Sequence, residues 1–148
     1  MTEAILLPPT PRRSSPWYQR PGVVYFFGAG NPPVAIKIGM TTCIPGKRDL
    51  QQSIRLRHKQ IQSANHEAIQ LLGIICFDHD TSEFPTRDAE DLEQELHSKF
   101  GERQRFERHT RGAEWFTPTK TLQDYIRENA KPPEDFQIPP MIGRPINR

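Results

Sequence analysis

The chain reads as an α/β protein of the α+β kind: a small, mostly antiparallel three-stranded sheet flanked by helices. Three observations predict this. Short runs of β-branched and aromatic residues stand between glycine- and proline-rich turns. Two longer segments carry apolar residues at helical spacing. The segments follow one another as β-β-α-β-α-(β)-α, an order that buries its apolar faces most simply as helices laid on one sheet. With 148 residues, a single domain is expected.

Residues 1–21 read as a proline-rich tail. Pro8, Pro9, Pro11 and Pro16 lack the N–H that a strand ladder needs, while Trp17 and Tyr18 can fold back onto a core. Met1–Thr10 has neither the basic start nor the long apolar stretch of a secretory signal. Val23–Phe27 is a first strand, 28–33 a turn, and Val34–Ile38 a second strand, so the pair forms a hairpin. A helix follows from about Lys47 to Ser63, with Leu50, Ile54, Arg57 and Ile61 on one stripe. Leu71–Phe77 is a third strand. Thr86 or Asp88 can cap a second helix whose apolar face is Ala89, Leu92, Leu96 and Phe100. Glu114-Trp115-Phe116 is a short strand or extended edge. Thr117 then caps a last helix with Pro118 at its first position. The domain spans 22–130, and 131–148 reads as a polyproline-type tail.

Ten of the 15 prolines lie in the two tails, so the low 34% hydrophobic content reflects polar ends around a richer centre. No apolar run is long enough to span a bilayer, which leaves no membrane role. The two cysteines, Cys43 and Cys76, form no CxxC pair and the histidines are scattered. Free thiols in a reducing, cytoplasmic setting suit this pattern better than a disulfide or a zinc site.

Net charge is +2, and its distribution says more than its size. Residues 45–60 carry Lys47, Arg48, Arg55, Arg57 and Lys59 against Asp49 alone. Residues 99–111 carry Lys99, Arg103, Arg105, Arg108 and Arg111 against Glu102 and Glu107. Between them, 78–95 holds eight acids and one arginine, some of which suit the start of a helix. Two basic tracts fit a phosphate backbone, with Lys47, Arg48, Arg55, Lys59, Arg103 and Arg105 as the contacting residues. Solvated helix faces and loops are the more usual fate of such runs.

Several polar residues stand where apolar ones are expected. Arg57 interrupts an apolar stripe, so it either pairs with a carboxylate, points at a ligand or snorkels at the stripe's edge. Lys37 lies between Ile36 and Ile38, and period-two alternation turns it to the opposite face, toward a cleft or solvent. Tyr25 can meet Lys37 across the hairpin, or serve as an ordinary sheet aromatic. Glu93 and His97, four apart, share one side of a helix.

Five short boxes then stand in order: Val24-Tyr25, Lys37-Ile38-Gly39-Met40-Thr41, Arg57-His58-Lys59-Gln60-Ile61-Gln62, Glu93-Gln94-Glu95-Leu96-His97-Ser98-Lys99-Phe100 and Glu114-Trp115-Phe116. Together they resemble the GIY-YIG nuclease superfamily, in a phage and bacterial branch whose second box reads Lys-Ile-Gly. The departures are Val23 for the first glycine, Lys37 for the second tyrosine, and a long segment between Gly39 and Arg57. By spacing alone Arg48 is a rival to Arg57 for the functional arginine; the residues after Arg57 and its helical phase favour Arg57.

The resemblance implies metal-dependent cleavage of phosphodiester bonds in DNA, with RNA as the alternative polymer. It implies one Mg²⁺ or Mn²⁺ held by Glu93, a water positioned or deprotonated by Tyr25, and a phosphate held by Lys37 and Arg57. His97 would orient Glu93, relay a proton or serve structure alone. Two rivals remain: a catalytically inactive nucleic-acid-binding module on the same fold, and a factor that engages a protein partner through the acidic segment or the tails.

Overall fold

The computed structural model describes residues 15–101 and 115–138. Within them, the elements run α1 (Ser15–Tyr18), β1 (Gly22–Ala29), β2 (Ala35–Thr42), α2 (Leu50–Ser63), β3 (Ile69–Phe77), α3 (Pro85–Lys99), β4 (Trp115–Phe116), α4 (Lys120–Asn129) and a 3-10 turn (Pro133–Phe136). One antiparallel sheet has the order β3-β1-β2-β4. The α+β class is as expected, but the sheet has four strands, not three. The pair Trp115-Phe116 adds to the outer edge of β2 opposite Lys37 and Ile36. Two residues carry too little alternation to be read as a strand until their partner is known.

Strand β1 is buried on both faces, and its alternation divides the core. Val24 and Phe26 join Ile36, Ile38, Ala89, Leu96, Phe100, Phe116, Leu122 and Ile126 under α3 and α4. Val23, Tyr25 and Phe27 join Ile54 of α2 with Ile69, Leu71 and Ile74 of β3 on the other face. Phe136 and Ile138 also pack there, and Lys131 exchanges two backbone hydrogen bonds with Ile74. The segment 131–138 is therefore part of the packed body and includes a 3-10 turn, where a polyproline extension was expected. Trp17 and Tyr18 lie in α1, and the Tyr18 hydroxyl donates to Glu90.

Helix starts were the least legible boundaries. Helix α2 begins at Leu50 because Asp49 caps the Gln52 N–H while Gln52 reaches back to the Asp49 N–H, a reciprocal capping box. Neither Thr86 nor Asp88 caps α3, whose N-cap is Phe84 with Pro85 at the first position. Thr119, not Thr117, caps α4 by accepting from the Leu122 N–H.

Thr86 is instead spent on tertiary structure. Its fully buried hydroxyl donates to the Arg20 carbonyl at 2.6 Å and lies 2.8 Å from the Thr42 hydroxyl, which also reaches the Pro21 carbonyl. This network ties the start of α3 to the end of β2. Thr86→Val keeps the shape and strands a buried acceptor, so a loss of about 1–3 kcal/mol is expected. A lower denaturant midpoint at constant m would register it, and an unchanged midpoint would contradict it.

Candidate functional site

Gly39 is the point around which the candidate side chains are arranged. Tyr25 pairs with Gly39 across β1 and β2, and Phe27 pairs with Lys37, so Tyr25 and Lys37 are diagonal neighbours on the face covered by α2. The tyrosine ring leans over β2 so far that a Cβ built on Gly39 would fall within 2.7 Å of its Cε1, and closer still to its Cζ and hydroxyl. The phenol end therefore occupies the space a side chain at 39 would need. Tyr25 is only 3% exposed and its ring packs 5.1 Å from that of Phe27.

Lys37 is half-buried, with Nζ 5.7 Å from the centre of the Trp115 ring. That stacking holds an ammonium beside β4 in a cation–π contact. The pairing was not visible beforehand because it depends on β4 joining β2.

Helix α3 lies on the opposite face of the sheet, so Glu93 can approach Tyr25 and Lys37 only around the outer edge of β2. Two contacts fix where it does so. Near its start, the Thr86 hydroxyl meets that of Thr42 at 2.8 Å. Near its end, His97 Nε2 donates to the Ile38 carbonyl at 2.8 Å, since a carbonyl can only accept. Eleven helical residues span about 16 Å, and four strand residues about 13 Å. Helix and strand thus run side by side in opposite directions. Interpolated between those two anchors, the backbone of Glu93, one turn before His97 on the same side of α3, is level with Gly39–Met40 of β2. The His97 ring also packs edge-on against Phe116 at 5.1 Å. It binds α3, β2 and β4 together at the end of β4.

Arg57 lies on α2, the helix that covers the face bearing Tyr25 and Lys37. It is half-buried, and its Nη1 donates to Gln60 Oε1 at 3.3 Å. Its described partner is a neutral amide one turn on, not a carboxylate, the first of the alternatives expected for it. Arg48 sits outside the helix, where it was expected on one of its faces. Its Nε donates to the Ser53 hydroxyl and its Nη2 to the Thr42 carbonyl, both at 3.1 Å. Lys47, Arg55 and Lys59 are exposed. Arg103, Arg105 and Glu114 lie outside the described residues.

Both cysteines are free. Cys43 is buried beside Ser53 and Arg48; burial pushes its thiol pKa up, against the opposing pull of the Ser53 hydrogen bond and the Arg48 charge. It is a neutral thiol at physiological pH.

Among the described residues, no three or more His, Cys, Asp or Glu side chains cluster so as to hold a metal ion. A tetrahedral zinc centre needs such a cluster. A hard ion such as Mg²⁺ keeps most of its waters and takes one or two carboxylates, and the half-buried Glu93 at the sheet edge fits that lesser demand. Among the described residues, no helix is long and apolar enough to cross a membrane.

Comparison with protein-family profiles matches the T5orf172 domain over residues 22–130, from the first residue of β1 to the residue after α4. Neither the curated proteins nor the solved structures contain a match to the chain. On the strength of that match, which covers most of its length, the chain belongs to the T5orf172 domain family, a family associated with nuclease-like domains.

Proposed function

We propose that the protein is a metal-dependent endonuclease that hydrolyses phosphodiester bonds in DNA by a single-metal, GIY-YIG-type mechanism. What supports this reading is the arrangement about Gly39: the Tyr25 phenol lies over that residue from one face, and Thr86 and His97 lay α3, the helix that carries Glu93, along the same stretch of β2 on the other. Family membership and the basic tract 45–60 support it.

Hydrolysis requires a water to lose a proton, the phosphate's added negative charge to be offset, and the leaving oxygen to be stabilised. In this reading Tyr25 orients the attacking water and accepts a hydrogen bond from it. Lys37 and Arg57 hold the scissile phosphate; the guanidinium's planar fork matches two phosphate oxygens. Arg57 must then exchange Gln60 for phosphate, a small rearrangement on a half-exposed side chain. Glu93 is the carboxylate that would hold a divalent ion, which when bound would supply Lewis-acid stabilisation of the phosphate and its leaving oxygen. His97 secures the turn of helix that carries Glu93.

The test is nicking of supercoiled plasmid with and without Mg²⁺ or Mn²⁺. Nicking is expected only with the metal, and Tyr25→Phe is expected to slow it about 10²-fold or more. Loss of nothing on Tyr25→Phe would remove the phenol from the mechanism. DNA binding that weakens with salt, without nicking in any divalent metal, would instead favour a catalytically inactive binding module. The observation on that side is Lys37, an ammonium stacked on Trp115 at the position of the second tyrosine in the GIY-YIG pattern.

A further inference from the structure

We propose that Thr41 is a second holder of the attacking water: its buried hydroxyl accepts one hydrogen bond from that water while Tyr25 accepts the other. The proposal rests on the endonuclease reading and extends it to a residue that has no role there.

Antiparallel pairing sets Thr41 opposite Val23, as it sets Gly39 opposite Tyr25 and Lys37 opposite Phe27. Directly paired side chains share a face, and Val23, Tyr25 and Phe27 all lie on the face covered by α2. The row that β2 presents there is Ala35, Lys37, Gly39 and Thr41, with no apolar residue larger than alanine. The other face of the same strand is filled by Ile36 and Ile38. A polar row on a covered face is the informative departure.

Thr41 is only 3% exposed. Thr42, Ser53 and Thr86 are also buried, and each hydroxyl is satisfied: by the Pro21, Thr42 and Arg20 carbonyls respectively. Thr41 has no hydrogen-bond partner among the described residues. Burying a hydroxyl without a partner costs free energy that a methyl in its place would not. Valine has the same shape and suits a strand as well, so the fold by itself gives no reason for a hydroxyl at 41.

Position supplies the reason. The Tyr25 hydroxyl lies where a Cβ on Gly39 would stand. Thr41 is two residues along the same face, about 7 Å away. Two hydrogen bonds of about 2.8 Å to one water span about 5.5 Å, the order of separation that two residues of strand set between the two hydroxyls. A water that donates both protons to fixed acceptors keeps a lone pair in one direction for attack, so it is oriented as well as bound. Ser53 hydrogen-bonds the adjoining Thr42 carbonyl, and Arg57 follows it by one helical turn, about 6 Å. The guanidinium assigned to the phosphate thus stands on the helix that roofs the same row.

The experiment compares Thr41→Val and Thr41→Ser with the native full chain in plasmid nicking with Mg²⁺, across a series of plasmid concentrations. Thr41→Val is expected to lower the maximal rate about 10-fold or more. The concentration for half-maximal rate should stay in place, because water and not DNA loses a contact. Serine keeps the hydroxyl, so Thr41→Ser should recover most of the rate. The urea midpoint of Thr41→Val should be no lower than that of the native chain. In a Tyr25→Phe background, Thr41→Val should slow nicking less than it does alone, since both hydroxyls hold one water. A native rate in Thr41→Val, a loss that serine does not restore, a loss confined to the half-maximal concentration, a lowered midpoint or strictly multiplicative losses would each overturn the assignment. With the native chain still nicking, such a result leaves the endonuclease reading standing; a native chain that nicks with no divalent metal defeats both.

Discussion

Glu93→Gln is expected to lower metal-dependent nicking by about 10³-fold or more, equivalent to about 4 kcal/mol of barrier. Glutamine keeps the size of the side chain and its helix propensity, so α3 should fold unchanged. What disappears is the anionic donor. A neutral amide is a much weaker ligand for a hard divalent ion, so the affinity for Mn²⁺, measured directly by calorimetry, should fall in parallel with the rate. The two losses together separate a metal ligand from a residue that only supports the fold. Midpoints of thermal unfolding matching the native chain, with nicking intact, would take Glu93 out of the mechanism.

The second large effect is expected at Gly39. Gly39→Ala places a methyl where the Tyr25 ring and hydroxyl already lie. Tyr25 has little room to withdraw, because it is 3% exposed and packed against Phe27. Overpacking of this kind typically destabilises by about 1–3 kcal/mol, and here it would also swing the phenol away from the β2 edge. Activity should fall at least as far as in Tyr25→Phe. A double-mutant cycle makes the cause specific. Tyr25→Ala alone should destabilise by about 3–5 kcal/mol through the cavity it leaves. Adding Gly39→Ala to that background should then be nearly neutral, because the clash is gone; coupling of about 1 kcal/mol or more is expected. Strict additivity in urea unfolding would mean that the ring does not hold glycine at 39.

The contrast between legible and hidden features has a common cause. Val23–Phe27 was readable because a buried strand advertises itself through β-branched and aromatic residues, and the alternation of Ile36 and Ile38 with Lys37 correctly assigned opposite faces. The start of α2 was harder: the apolar stripe marks the buried face of the helix but not its first residue, and the Asp49–Gln52 capping box decides where the helix begins. Thr86 looked like a helix cap because threonine often is one; its hydroxyl serves Arg20 and Thr42, residues distant in sequence. For Arg48 and Arg57 spacing and helical phase pointed to different residues; what separates the two lies in acceptors: a carbonyl at the end of β2 for one, a glutamine on its own helix for the other.

Residue types and their order were determined by the sequence alone: a tyrosine on the first strand, a Lys-Ile-Gly at the second, a basic helix, then Glu93 and His97 four apart. Local periodicity suffices for that, because it depends on neighbours within a turn or a pleat. Only the tertiary structure decided that α3 lies antiparallel to β2 on the far face, with Thr86 at the end of β2 and His97 at Ile38. That placement comes from Ala89, Leu96 and Phe100 packing against Val24, Phe26 and Ile38, with Thr86 and His97 as the pins at either end. Such contacts join segments dozens of residues apart, and no repeat along the chain encodes them.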